Sequence, residues 1–238
     1  MSGPYEGHPL SYGAGVNSTA LAVLLVREGW HGPIVFSDTG AEWPETVAYL
    51  DTFRTWLVPY GLELILLGPE WRRGRRTLTL IEYCEYYRVT PYPKTRWCTQ
   101  HWKTEPLKKW CLANGFVLED MLIGISADEA HRQPERIRPL VDRGIDRRQC
   151  AQVILDAGLP VPRKSGCWIC PFQKLSQWRE LYIRHPDLFE RAARLEEAAT
   201  ARRKDGVITH TRIGGDASLR ELEAGFRAQT EMFSMWDY

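Results

Sequence analysis

The strongest constraint on the fold of this chain is the alternation of strand-like and helix-like segments over its first 67 residues. β-Branched and aromatic runs alternate with longer segments whose apolar residues recur at helical spacing. In order, the five segments are 8–12, 19–28, 33–37, 43–58 and 62–67. Alternation at this spacing is typical of parallel βαβ units with helices on both faces of the sheet.

The later part of the chain changes in character after about Asp128. A strand at 121–125, preceded by a helix at 104–113, fits the same sheet. Beyond it lie an arginine-rich stretch and three mostly helical segments at 147–157, 174–203 and 216–232. We therefore predict an α/β nucleotide-binding domain over 1–132, with a mostly helical, cysteine-bearing region over 133–238 packed on it as one compact unit.

Composition excludes few classes of function. Of the 238 residues, 44% are hydrophobic and 26% are charged, and the formal net charge is +1, so bulk charge favours no partner class. No apolar stretch reaches the roughly 20 residues that a membrane helix needs, and Met1 to Leu10 lacks a signal segment. We expect a cytoplasmic protein without disulfides. The arginine runs at 72–76 and 143–148 fit either solvated faces or contacts with a polyanion.

A loop rich in small residues follows the first predicted strand and precedes the first helix. Glycines in this position let a backbone approach phosphate, while amide groups and the helix N-terminus attract the anion. The candidate contacts are Ser11, Gly13, Gly15, Asn17 and Ser18. The loop lacks the Gly-Lys-Ser/Thr of a Walker A motif and the third glycine of a dinucleotide fingerprint. By spacing alone, a tight structural turn fits nearly as well.

The segment from Gly13 to Ser18 resembles the PP-loop of N-type ATP pyrophosphatases, written Ser-Gly-Gly-x-Asp-Ser. Gly13 stands in place of the first serine, Ala14 in place of a glycine, and Asn17 in place of the aspartate. Asn17 keeps the shape of the aspartate and loses its charge. The resemblance implies a Rossmann-like, parallel α/β sandwich of the adenine nucleotide alpha hydrolase type.

Three further blocks resemble phosphoadenosine-phosphosulfate reductases, which belong to the same superfamily. The blocks are Asp38-Thr39-Gly40 with Pro44-Glu45-Thr46, Cys98 to Leu107, and Gly124 to Arg132. The resemblance implies that Asp38, Thr39 and Gly40 lie near the nucleotide. It also implies that Lys103 and Arg132, with Asn17 and Ser18, act on the phosphate or sulfate. Ser126 stands where the reductases commonly have an arginine.

Cysteines supply the second candidate site. Cys167 and Cys170 form a Cys-x-x-Cys motif followed by Pro171, which fits a metal-ligating turn better than a redox pair. The resemblance to iron–sulfur reductases adds Cys98, and Cys150 is the second choice as a further ligand. If Cys150 were only a core residue, three thiolates would remain. We expect a [4Fe-4S] cluster, with zinc as the alternative. Cys84 and Cys111 are expected to be buried thiols.

The resemblance implies an ATP pyrophosphatase that uses ATP, or an adenine sulfonucleotide, with Mg²⁺ to adenylate a substrate. A cluster next to such a site would point to sulfur transfer to a nucleic acid, as in tRNA thiolation or DNA phosphorothioation, from a donor such as a cysteine desulfurase. Two alternatives stay open. One is a sulfonucleotide reductase, although no cysteine follows Cys170 where reductases carry a C-terminal nucleophile. The other is a nucleotide-binding module with structural zinc. A homodimer also stays open.

Overall fold

The computed structural model describes residues 4–69, 71–73, 76–204 and 212–234. Two compact units divide the chain. The first unit comprises residues 1–70 and 101–166, and the second comprises residues 71–100 and 167–238. Each unit is thus built from two separate stretches of sequence. The predicted division into 1–132 and 133–238 stays a prediction, and the units group the chain differently.

Six strands and ten helices make up the described regular structure apart from short 3₁₀ and π turns. The strands are β1 (Leu10–Ser11), β2 (Ile34–Ser37), β3 (Leu64–Leu67), β4 (Trp71–Arg73), β5 (Arg76–Leu78) and β6 (Leu122–Ile123). The helices are α1 (Val16–Arg27), α2 (Pro44–Leu57), α3 (Leu80–Tyr87), α4 (Trp97–Thr99), α5 (Glu105–Ala113), α6 (Pro139–Asp142), α7 (Arg147–Asp156), α8 (Leu175–Arg184), α9 (Pro186–Lys204) and α10 (Leu219–Ser234).

A parallel four-stranded sheet forms the centre of the first unit, in the order β3-β2-β1-β6. Leu10 of β1 is paired with Ile34 of β2 on one side and with Leu122 of β6 on the other. This arrangement confirms the predicted parallel α/β fold. All strands point the same way, so their carboxyl ends meet at one edge, which is where ligands of such sheets bind.

Local sequence explains where the first two helices begin and end. Helix α1 starts after the extended Gly15 and is followed by Gly29, whose positive φ of 80° suits glycine and stops the helix. Helix α2 begins with Pro44, whose missing amide hydrogen costs nothing in a first turn. Residues 58–60 then form a 3₁₀ turn that ends at Gly61.

The core of the first unit lies where α1, α2 and α7 cover the sheet. Its side chains are fully or almost fully buried and include Leu10, Leu21, Ile34, Phe53, Leu57 and Ile154. Tyr12 stacks on Phe53 with 4.4 Å between ring centroids. The continuous apolar character of α1 follows from its burial, since ten of its twelve residues are buried.

The second unit contains an antiparallel hairpin, β4–β5, and the helices α3, α4 and α8 to α10. A capping box starts α3, because Thr79 Oγ1 accepts the amide hydrogen of Glu82 while the Glu82 carboxylate accepts that of Thr79 at 2.8 Å. The rings of Tyr182, Phe189 and Phe226 join α8, α9 and α10. The sequence prediction missed the hairpin.

None of the helices among the described residues is long and apolar enough to span a membrane. Part of the first arginine run, Arg75, lies outside the described residues, as do the last four residues of the chain. In the second run, Arg143 makes a double salt bridge to Glu28, at 2.6 and 2.8 Å. That arginine therefore belongs to the packing of the first unit.

Candidate functional site

The loop between β1 and α1 is organised around the hydroxyl group of Ser18. This oxygen accepts hydrogen bonds from the amide groups of Gly13 at 3.2 Å and Gly15 at 3.3 Å. The same hydroxyl lies 3.2 Å from the carbonyl oxygen of Gly15, to which it donates. Between the two glycines, Ala14 has a φ of 51°, in the left-handed region that favours glycine. The loop therefore turns sharply and directs two amide groups toward one point.

Gly124, just after β6, lies directly against the first turn of α1. A Cβ atom at this position would come within 2.6 Å of the backbone nitrogen and Cα of Ser18. Real Cβ atoms do not approach a backbone this closely, so any other residue would displace the loop. Gly124, the first residue of its sequence block, is therefore needed for the packing of the loop between β1 and α1.

Asn17, at the start of α1, links three segments of the first unit. Its side-chain nitrogen donates to Ser126 Oγ at 2.9 Å and lies 3.5 Å from a Glu129 carboxylate oxygen. Its side-chain oxygen accepts a hydrogen bond from Arg147 Nη1 at 3.3 Å. An asparagine can serve as donor and acceptor at once, whereas an aspartate would face the Glu129 carboxylate with a second negative charge.

A cavity of about 400 Å³ opens beside this loop, within the size range of small-molecule sites. Its described lining includes predicted residues from the loop and from the block after β6, namely Ser11, Gly13, Gly15, Asn17, Ser18 and Arg132. In total, three cationic side chains and the carboxylate of Glu129 line the cavity, so the formal charge of the lining is positive. The cations are Arg132, Arg147 and Lys164.

Arg147 and Lys164 are site residues that the sequence prediction missed. Arg147 is the first residue of α7, which begins at a capping box formed by Asp146 and Gln149. Arg147 belongs to the arginine run at 143–148, for which the sequence leaves a polyanion contact open, but its place at this cavity depends on how α7 packs. Arg132 forms a 2.8 Å salt bridge with Glu129, and the two side chains are partly exposed to solvent.

The Asp38-Thr39-Gly40 block forms a separate group of contacts at the carboxyl end of β2. Asp38 accepts the amide hydrogen of Gly40 at 2.8 Å, and Thr39 donates to the Glu42 carboxylate at 3.1 Å. Lys103 joins this group through a 3.1 Å salt bridge to Glu42, whose side chain is only 2% exposed. The structure therefore brings Lys103 together with the Asp38 block, and none of these residues is among the described lining of the cavity.

Three of the four predicted metal ligands belong to the second unit. Cys167 and Cys170 lie in a tight turn, closed by a 3.1 Å hydrogen bond from the amide of Cys170 to the carbonyl of Cys167. Cys98 lies in α4, and all three side chains are half-buried. Burial raises the pKa of the Cys98 thiol, and the nearby thiol of Cys170 raises it further.

Cys150, the fourth predicted ligand, lies in the core of the first unit. Its side chain is fully buried on α7, which packs against α1. Burial, followed by the negative charge of Asp128, raises the pKa of the Cys150 thiol to about 11. Cys150 thus belongs to the first unit and the other three predicted ligands to the second, so metal ligation by all four cysteines stays a prediction. Cys84 and Cys111 are also fully buried, as expected.

The cysteines of the second unit have suitable chemistry for a thiophilic metal, because thiolates are the ligands of zinc and iron–sulfur centres. Among the residues that the structure describes, no three His, Cys, Asp or Glu side chains are close enough together to hold a metal ion as they stand. Cys98, Cys167 and Cys170 thus belong to one unit, but their side chains do not yet surround a common metal position.

The fold and the cavity define a parallel-sheet α/β protein with a cationic cavity at the carboxyl ends of its strands. The family model for the phosphoadenosine phosphosulfate reductase domain matches residues 8–151, more than half of the chain. The chain therefore belongs to the phosphoadenosine phosphosulfate reductase domain family.

A solved structure supports the same fold. The chain is similar to phosphoadenylyl-sulfate (PAPS) reductase from Candida auris, crystallised as a phosphate complex, with 16% sequence identity and a TM-score of 0.50. The similarity covers 68% of this chain and 81% of the other. At this identity the likeness concerns the fold alone. None of the curated proteins compared with the chain matches it in sequence.

Proposed function

We propose that the chain binds an adenine nucleotide with its phosphates in the cavity beside Gly13, Gly15 and Ser18. The observation that carries this proposal is the positive lining of that cavity, where Arg132, Arg147 and Lys164 meet the N-terminus of α1. A helix N-terminus and exposed amide groups add partial positive charge. Membership of a family named for a sulfonucleotide substrate supports the choice of an adenine nucleotide.

The reaction we propose is adenylation of a substrate with release of pyrophosphate from ATP. A substrate oxygen attacks the α-phosphorus, and the bond between the α-phosphorus and the bridging oxygen to the β-phosphate breaks. Negative charge then accumulates on the departing pyrophosphate, where the guanidinium groups of Arg132 and Arg147 and the loop amides would stabilise it. Mg²⁺ carried by the nucleotide would neutralise part of the same charge.

The cysteines of the second unit supply the sulfur-related part of the proposal. We propose that Cys98, Cys167 and Cys170 ligate a [4Fe-4S] cluster, with zinc as the alternative, and that Cys150 is not needed. Such a cluster would supply sulfur chemistry when bound. The adenylated acceptor would then be a nucleic acid, tRNA or DNA, and an upstream sulfur donor such as a cysteine desulfurase would provide the sulfur.

A sulfonucleotide reductase is the second candidate function. The observation that favours it is the family match over residues 8–151, which covers the three sequence blocks that resemble the reductases. In this case the ligand of the cavity would be a phosphosulfate nucleotide in place of ATP. A nucleotide-binding module with structural zinc is the third candidate, and it binds its ligand in the cavity without turnover.

Turnover with different nucleotides separates the three candidates. Protein purified without oxygen is incubated with ATP, Mg²⁺ and nucleic acid, and pyrophosphate is measured. It is incubated separately with adenine sulfonucleotides and a thiol reductant, and sulfite is measured. Pyrophosphate release supports adenylation, whereas sulfite release supports the reductase. Tight nucleotide binding without either product supports the module, and the absence of nucleotide binding would refute the proposed function.

A matched pair of variants ties the result to the cavity. Ser18→Ala removes the oxygen on which the loop amides of Gly13 and Gly15 converge, while Ser165→Ala removes another hydroxyl of the lining. Because the Ser18 hydroxyl competes with a ligand for both amides, we expect Ser18→Ala to narrow the preference for ATP over adenosine and Ser165→Ala to leave it unchanged. Equal, unchanged affinities in both variants would place the nucleotide elsewhere.

A further inference from the structure

Four of the six cysteines belong to the second unit, and one of them, Cys84, was expected to be only a buried thiol. The other members of this set are Cys98, Cys167 and Cys170, whereas Cys111 and Cys150 belong to the first unit. Cys84 is fully buried on α3, while the other three side chains are half-buried. The contacts of the residues next to Cys84 in the chain show which segments lie around it.

Aromatic packing brings α3 next to the segment that contains Cys98. The ring of Tyr83, directly before Cys84, lies 5.4 Å from the ring of Trp97, directly before Cys98. The two rings are tilted by 50°, an ordinary geometry for packed aromatic side chains. The residues that follow these two rings are therefore held in adjoining turns of the unit.

Arg191 on α9 connects α3 to the Cys-x-x-Cys turn. Its guanidinium makes two hydrogen bonds to the Glu85 carboxylate, at 2.6 and 2.9 Å, directly after Cys84. The same guanidinium lies 5.7 Å from the ring centroid of Trp168, directly after Cys167. A single side chain thus fixes the neighbours of both cysteines.

A second cation–π contact connects the segment around Cys98 to the segment around Cys170. The guanidinium of Arg96 lies 5.9 Å from the ring centroid of Phe172, so the chain two residues before Cys98 meets the chain two residues after Cys170. These contacts place the segments around Cys84, Cys98, Cys167 and Cys170 in one part of the second unit.

We propose that Cys84 is the fourth thiolate ligand of the metal centre, completing a set with Cys98, Cys167 and Cys170. This inference rests on the metal centre in the proposed function and replaces Cys150 as the fourth donor. Four thiolates from one unit give a closed, structural type of site. Among the described residues, no three donor side chains already surround a metal position, so metal binding would draw the four thiols closer together.

The full chain, purified without oxygen, supplies the first test. Metal and acid-labile sulfide are measured per chain, and the rate of metal loss to a chelator is followed in the wild type and in single variants. We expect Cys84→Ser to lose metal on the order of tenfold faster than the wild type, because a ligand is missing. Cys111→Ser and Cys150→Ser replace equally buried thiols of the first unit, and we expect both to behave as the wild type does.

A measurement on the unaltered chain covers the case in which Cys84→Ser does not fold. The wild-type chain and Cys150→Ser are loaded with zinc, and X-ray absorption counts the sulfur ligands. Four sulfur atoms in both proteins support the inference. Three sulfur atoms in the wild type, or a loss of one sulfur atom in Cys150→Ser, would overturn it while leaving the metal centre in place. A wild-type chain that binds no metal would overturn both the inference and the proposed metal centre.

Discussion

Arg147 and Asn17 lie 130 residues apart in the sequence, and Arg147 Nη1 donates to Asn17 Oδ1 at 3.3 Å. This hydrogen bond joins the first turn of α7 to the first turn of α1 at the edge of the cavity. A guanidinium held in this way is oriented before a ligand arrives. It can therefore stabilise an anion without first losing much side-chain entropy.

Replacement of Arg147 tests whether this orientation matters for ligand binding. We expect Arg147→Ala to weaken the binding of ATP or pyrophosphate on the order of tenfold, about 1.4 kcal/mol, because one charge-assisted contact is lost. Arg148→Ala is the matched control, since Arg148 is an exposed neighbour that does not line the cavity. Isothermal titration calorimetry measures both variants, and an equal loss in the two would point to long-range charge alone.

Gly124 permits a second test, of the packing beneath the loop. In Gly124→Ala, the added methyl group would lie 2.6 Å from the Ser18 backbone, so the loop must move. We expect a loss of about 1–3 kcal/mol in the free energy of unfolding, together with weaker pyrophosphate binding. Urea unfolding and calorimetry measure the two effects. Gly68→Ala is the control, because its methyl group would meet no atom within 4 Å. Wild-type stability in Gly124→Ala would contradict the close approach.

Asn17→Asp introduces a second carboxylate 3.5 Å from that of Glu129. Two neighbouring carboxylates repel each other unless a proton or a cation lies between them. We therefore expect millimolar Mg²⁺ to raise the melting temperature of Asn17→Asp more than that of the wild type. The double variant Asn17→Asp/Glu129→Gln should lose this response. A Mg²⁺ response that persists in the double variant would place the ion away from Glu129.

The second unit should lose stability in acid through Glu190 on α9. The guanidinium groups of Arg220 and then Arg194 lower the pKa of Glu190 to about 2 from an ordinary value of 4.5. A depressed pKa in the folded state stabilises the fold above pH 4.5, and this contribution is lost as the pH falls from 4.5 toward 2. Urea unfolding as a function of pH should show a smaller decline in Glu190→Gln. An exposed glutamate of the first unit, Glu63, supplies the control Glu63→Gln.

The sheet and the loop could be predicted from the sequence because both depend on local patterns. β-Branched runs, helical spacing and small residues occur in the order that the first unit requires, and β1, α1 and β2 lie close to their predicted bounds. The hairpin β4–β5 was missed because its short strands carry several arginines and little apolar alternation. Strand pairing there depends on partners across a turn, and strand propensity alone is a weak guide.

The same distinction between local patterns and tertiary packing applies to the residues of the candidate sites. Gly13, Gly15 and Ser18 act through local backbone geometry, so a motif predicts them. Arg147 and Cys84 depend on which helices pack together, and no spacing in the sequence reports that. Cys84 in particular looks like any buried cysteine until Tyr83 and Glu85 are seen to contact residues beside other cysteines. Tertiary packing decides such roles, and a single sequence carries little information about it.

The hydroxyl of Ser18 already accepts hydrogen bonds from the two loop amides that would face a phosphate. An incoming group must compete with this internal acceptor. A charged phosphate oxygen forms shorter and stronger hydrogen bonds than a neutral hydroxyl does, whereas the hydroxyl groups of a sugar offer no such advantage. Only a ligand whose acceptor is stronger than the Ser18 hydroxyl gains free energy by binding to the loop amides. The loop would therefore favour nucleotides over nucleosides, independently of any contact with the base.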